Sequence, residues 1–358
     1  MSRAPNSNVA ERVPVEAAGE NEVREVTELR PSPAILPLPG RLGVRAGAVR
    51  TAGLAAFLVL FLTLPKTLDW AGPAYAIDFG LIVALAVLSA SVVAWVGEIS
   101  LATLAQMGMG VVMLNALQDH GVPFALVLVI VALSSIPVSL LIGFFALRLR
   151  GVNFAIATLA FAYLAQKTFF QSYLGVQGGF EKPLARPSIV SSDTRLYYLI
   201  AGFTLLVAAV CYVIRKSWIG TRIDALRDSE MAFAVLGHSP ARYKLFTICL
   251  AGMIATVAGT FYGILQQVVP ANYFNPILAI AYFAYAVVGG LGSIGGAIAA
   301  GLIFGAVPKY FDAASQGRFV GYDQFFAGLV ALCVILIIPG GLAEIGQRLR
   351  RRAEGRAR

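Results

Sequence analysis

The chain has 358 residues, a formal net charge of +9, 58% hydrophobic residues and 13% charged ones. Soluble globular domains carry about 25% charged residues, so this balance excludes an ordinary soluble enzyme and points to a protein that crosses a membrane several times. The positive charge clusters beside apolar segments, a pattern that orients membrane proteins rather than one that binds nucleic acid.

Residues 1–48 are rich in Glu and Arg and end in the proline-rich run PSPAILPLPG. They read as a disordered cytoplasmic tail and linker, too long and polar for a signal peptide. Apolar segments follow at 51–66, 77–96, 99–118, 123–147, 152–173, 196–214, 243–267, 275–290, 293–309 and 323–339. The sequence therefore predicts an all-α polytopic membrane protein of about ten transmembrane helices. Gly-Glu or Gly-Gly turns between the second and third segments, and between the eighth and ninth, predict tight hairpins or broken helices. The transmembrane domain is 49–342, with a polar loop at 215–244 and a basic tail at 343–358.

Charge sets the orientation. With both termini inside, the cytoplasmic side receives seven Lys and Arg through Arg50, two at Arg148 and Arg150, six at 215–244 and six after Gly340. The outer side receives the remaining seven, and an excess of inner charge is the rule for such proteins. The longest outer loop, Tyr173–Arg195, would meet a solute or a delivery protein first, or is a plain connection.

The loop at 215–244, RKSWIGTRIDALRDSEMAFAVLGHSPARYK, is the one long polar interruption. Ser229 is placed to cap a short helix, Glu230 to complement its positive end, and Gly237 with Pro240 to stop it. The result is a helix-turn-helix-like knob outside the bilayer, whose Met231, Phe233, Val235 and Leu236 offer apolar contact. An amphipathic helix on the inner leaflet, with Arg222 and Arg227 at the headgroups, is the other reading.

Several chemistries are missing. None of the six lysines follows a glycine, so no phosphate-binding loop is present and any ATP hydrolysis belongs to another chain. Cys211, Cys249 and Cys333 lie in apolar runs without metal-ligand spacing, and His120 and His238 fall on opposite sides, so no metal site is expected. Asp78, Glu98, Asp323 and Lys167 sit near segment ends, where water or headgroups can solvate them, which counts against an ion-coupled carrier.

Small residues recur about every four positions in GEISLATLAQMGMG (97–110) and VVGGLGSIGGAIAAGLIFG (287–305), a spacing that serves close helix packing or unwinding beside a solute path. Candidate pathway residues are Gly97, Ser100, Thr103, Gln106 and Gly108 in the first run, Thr158 and Phe161 in RLRGVNFAIATLAFAYLAQ, and Gly289 and Gly290 in the second run. A transmembrane Thr also commonly bonds its own helix carbonyl.

Taken in order, VGEISLATLAQMGMG, LRLRGVNFAIATLAF, the double glycine after Gln177, the 219–263 stretch, VVGGLGSIGGAIAAG and FFAGLVALCVILIIPGGL resemble the M-type permease subunit of branched-chain amino acid ABC importers. The resemblance implies an ABC importer permease fold in a bacterial inner membrane, not itself an enzyme. Its partners would be a second permease subunit, two ATPase subunits carrying ATP and Mg, a periplasmic solute-binding protein and membrane lipid. It places Glu230, Ala232 and Gly237 on the acidic, small and glycine positions of an ATPase-coupling loop, with Met231, Phe233 and Leu236 beside them. Phe233 replaces a common alanine, Ala102 and Thr103 a Gly-His pair, Gln106 an aromatic and Ala297 a proline. Because the changes at 102–106 border the expected path, urea or short amides stand as alternatives to amino acids, and a stand-alone ion-coupled carrier or channel is the rival from another class.

Overall fold

A first helix, α1 (Pro73–Val93), is apolar all round and opens the computed structural model, which describes residues 73–118, 120–171, 184, 186–187, 192–314 and 328. The expected first span and both tails lie outside these residues, as does the expected last span apart from residue 328. Helix α1 runs into a single 3-10 turn, Ala94–Val96. The chain then leaves helical geometry over 97–102 before α2 (Thr103–Gln118), so the expected second and third segments are two helices joined by a short break.

Helix α3 (Phe124–Arg148) follows, then α4 (Val152–Ala165), which widens into a π turn at Gln166–Phe170. Helix α5 (Asp193–Lys216) leads into the short helices α6 (Trp218–Asp228) and α7 (Glu230–Val235). Helix α8 (Pro240–Gln266), a 3-10 turn at Ala271–Phe274, and α9 (Pro276–Gly289) come next. Helix α10 (Ile294–Gly301), a π turn at Leu302–Ala306 and α11 (Val307–Ala314) complete the described part.

Among the described residues, five stretches are long and apolar enough to cross a membrane: Ala74–Val96, Phe124–Arg148, Asp193–Lys216, Pro240–Gln266 and Ile294–Ala313. Of these, α1 is buried on all sides and α8 nearly so, while α3 and α5 leave most of their surface open. Helix α8 packs against α3, α2 and α1; α1 in turn meets α9, α10 and α5. The open face of α3 carries Leu126, Val129, Leu133, Leu140 and Phe144. Such a continuous apolar stripe suits lipid rather than water.

Close contacts fix the centre. A side chain at Gly110 would strike the Thr256 carbonyl and one at Gly259 the Met107 backbone, so α2 and α8 touch backbone to backbone. Between α9 and α10 the chain reverses at Gly290, where φ is +94°. Ser293 Oγ then accepts from Gly296 N at 3.2 Å and starts α10. The glycine cluster at 289–292 thus makes the expected hairpin. Helices α1 and α8 run antiparallel, so Trp95 and Lys244 share one end of the bundle while Phe79 and Gln266 share the other.

Candidate functional site

The polar loop builds a two-helix knob at the Lys244 end. Ser217 Oγ accepts from Ile219 N at 3.2 Å and caps α6, and Ser229 Oγ accepts from Ala232 N at 3.2 Å and caps α7. Each such cap stabilises its helix by about 1 kcal/mol. Helix α7 closes with a left-handed Gly237 (φ +81°), with His238 N donating to Phe233 O and Gly237 N to Ala234 O. Any residue with a Cβ is strained at that φ.

The knob's apolar residues divide by face. Met231, Val235 and Leu236 are 81%, 82% and 73% exposed, whereas Phe233 is buried against the rings of His238 and Tyr243. Burying Phe233 contributes about 2 kcal/mol toward holding α7 on the bundle. Ala232 and Gly237 are exposed beside the outward residues. Glu230 points the other way, toward the bundle.

There it joins a charge cluster. Lys244 Nζ donates to Glu98 Oε1 at 3.0 Å and to Glu230 Oε2 at 3.1 Å. Glu98 Oε2 accepts from Gly151 N at 3.1 Å, and Arg150 Nη2 lies 3.3 Å from Glu230 Oε2. The side chains of Lys244 and Glu98 are 3% and 5% exposed. This corrects the expectation that water solvates Glu98: the 97–102 break turns its carboxylate inward, where Lys244 and Gly151 satisfy it. Asp78 is likewise buried within α1, and its Oδ1 has no hydrogen-bond partner among the described residues.

The pathway candidates fall into three settings. Gly97 is exposed near Arg227, and Ser100 Oγ accepts from Ala102 N, both within the break. Thr158 Oγ1 accepts from Leu101 N at 3.0 Å and donates to Ala155 O at 2.9 Å, tying that break to α4; Phe161 is half-buried three residues on. Deeper in, Thr103 and Gln106 are buried, Gln106 Nε2 donates to Ser139 Oγ at 3.1 Å, and Gly108 faces the Phe170 ring. Gly289 abuts Gly296, and Gly290 makes the turn beyond it.

At the far end of α8 lies a cavity of about 360 Å³, within the usual size range of small-molecule sites. Aromatic rings dominate its lining: Phe79, Tyr262, Tyr273, Tyr282, Tyr285 and Phe304. Tyr262 and Tyr273 stack at 4.3 Å, Tyr285 and Phe304 at 4.5 Å. Gln266 takes a bond from Tyr75 at 3.0 Å and gives one to Tyr262 at 3.2 Å, and Tyr273 and Tyr282 pair their hydroxyls at 3.2 Å. Burial and the neighbouring phenols of Tyr282 and Tyr262 push the Tyr273 hydroxyl well above its ordinary range, so it stays protonated. Lys309 lines the cavity and sits over the Phe79 ring, and no acidic side chain lines it among the described residues. Nearby, Leu184 N, in the loop expected to face outward, bonds Gln267 O; most of that loop lies outside the described residues.

The family model described as the branched-chain amino acid transport system permease component matches residues 73–337. The chain belongs to this family. It is an all-α polytopic membrane protein. The permease is 26% identical over 276 residues to the high-affinity branched-chain amino acid transport system permease protein LivM of Salmonella typhimurium, covering 68% of this chain and 63% of that one. To LivM of Escherichia coli it is 27% identical over 209 residues, covering 50% and 49%. To the probable branched-chain amino acid transport permease protein LivH of Methanocaldococcus jannaschii it is 28% identical over 145 residues, covering 39% and 45%. The chain thus spans 45% to 63% of the length of these relatives, and no solved structure matches it.

Sequence reasoning missed the permease's charge cluster and its aromatic cavity. Glu98 and Lys244 stand 146 residues apart, so only the fold brings them together. One signal was available: a Glu following a glycine at the end of an apolar run and a Lys opening another fall on the same side of the membrane.

Proposed function

We propose that this chain is the M-type permease subunit of an ATP-driven importer for branched-chain or other small amino acids. The knob is the observation that carries this reading. Three large apolar side chains, Met231, Val235 and Leu236, stand exposed on a capped helix anchored from behind by Phe233. A surface of that kind is suited to enter a groove on a partner. With no phosphate-binding loop in the chain, the partner would be a pair of ATPase subunits that hold ATP and Mg. A second permease would complete the pore and a periplasmic binding protein would deliver the solute at the cavity end.

The knob then lies in the cytoplasm of a bacterial inner membrane, with both termini on the same side. Hydrolysis would move α6 and α7, and the helices behind them would open alternately to either side. The cavity suits an aliphatic amino acid: its rings cover an apolar side chain, and Lys309 supplies a cation for the carboxylate. Gly237→Arg tests the coupling role. It forces a side chain into the left-handed turn and a charge onto the docking face, so the variant inserts but no longer co-purifies the ATPase and imports nothing. Unchanged co-purification overturns the reading.

A further inference from the structure

Four separate chain segments meet in one closed loop of polar contacts. Starting at the knob, Glu230 contacts Lys244 at the head of α8, and Lys244 contacts Glu98 in the break before α2. Glu98 accepts from Gly151, and Arg150, the next residue back along the chain, returns to Glu230. Two carboxylates and two cations alternate around the loop, which leaves it neutral and explains how two of them can be buried. Among the described residues no direct side-chain hydrogen bond or ion pair joins α7 to 97–102. The connection passes through Lys244 on one side and Arg150–Gly151 on the other.

The loop ends on the elements that must move. Glu98 lies five residues before α2, Leu101 in the same break is bonded to Thr158 of α4, and α2 touches α8 backbone to backbone. A displacement of α7 therefore reaches α8, α2 and α4 through Glu230 and the buried Lys244–Glu98 pair, within which a small shift of one partner is strongly resisted by the other.

We propose that Glu98 and Lys244 are positioning residues that transmit knob movement to the transmembrane helices, so that their pairing sets how much solute moves per ATP hydrolysed. This rests on the reading of α7 as an ATPase-docking knob. It assigns Glu230 an inward role, as the knob's attachment to the ring, and leaves docking to Met231, Val235 and Leu236.

The test uses the complete complex, both permeases with the ATPase and the binding protein, in proteoliposomes. Three quantities are read for each variant: ATPase co-purification, ATP hydrolysis and labelled amino acid uptake. Glu98→Gln keeps the side-chain shape and an acceptor for Gly151 while removing the charge opposite Lys244. Expected are normal co-purification, continued hydrolysis and uptake per ATP lowered about tenfold, a usual size for coupling between sites. Lys244→Arg, which keeps the charge, retains most of the uptake per ATP. Should Glu98→Gln fail to accumulate, Glu98→Gln with Lys244→Gln removes the buried charges as a pair and is read in the same way.

Uptake per ATP within about twofold of the unmodified complex, a difference smaller than coupling between sites usually produces, overturns the proposal. Hydrolysis and uptake falling in parallel also overturns it, because the ring would then only hold the fold. An unmodified complex that shows no ATP-dependent uptake defeats the underlying functional reading instead, so the two failures are distinguishable.

Discussion

The two ends of helix α8 are built on opposite principles. At Lys244 the helix carries a buried charge held by carboxylates from two other segments, and next to it a knob turns apolar side chains toward solvent. At Gln266, about 33 Å further along at the usual rise per residue, the surroundings are aromatic rings whose hydroxyls bond one another around a cavity. The first end resists displacement and offers a grip to a partner. The second offers a space walled by aromatic rings beside Lys309. The importer proposed for this chain would use both, one end to receive force and the other to receive solute.

The widest gap between the two ends should open when the knob's outer face is charged. Leu236→Asp combined with Met231→Asp abolishes ATPase co-purification and ATP-driven uptake, while membrane insertion and thermal stability stay normal, because both side chains are exposed. A pull-down and a melting curve check this together. Next comes Lys244→Met, which strands Glu98 in dry surroundings and costs about 3–5 kcal/mol. A clear fall in the melting temperature of the detergent-solubilised protein is the expected outcome.

At the cavity end, Lys309→Met raises the solute concentration needed for half-maximal uptake about tenfold, in line with losing one charge-assisted contact of about 1.5 kcal/mol. ATPase co-purification stays unchanged, which separates the two ends cleanly. The smallest effect belongs to Arg150→Gln. Its side chain is 72% exposed, and pairs of that kind contribute about 0–1 kcal/mol. Stability and uptake within experimental scatter are expected, marking Lys244 rather than Arg150 as the firm side of the ring.

Sequence reasoning reached the knob and stopped short of the ring, for a physical reason. Helix caps and stops are local: Ser229, Gly237 and Pro240 act on backbone groups a few residues away, so their pattern can be read from the chain. The break at 97–102 and the hairpin at 289–292 were legible for the same reason. A buried ion pair spanning 146 residues depends on how helices pack, and Glu98 at a segment end looks no different from a solvated carboxylate. Phe233 illustrates the point within one short helix. The apolar pattern of α7 does not say which face turns inward, and packing on Tyr243 decides it. The tyrosines of the cavity come from α8, α9 and the turn between them, and in sequence they resemble ordinary core.

A knob that docks an ATPase makes this chain one part of an ATP-driven importer. Labelled leucine uptake into proteoliposomes tests it most directly, comparing the chain alone with the chain joined by its second permease, the ATPase and the binding protein. Accumulation is expected only in the full complex with ATP and Mg present. Leucine carried by the chain alone, without ATP, would contradict it.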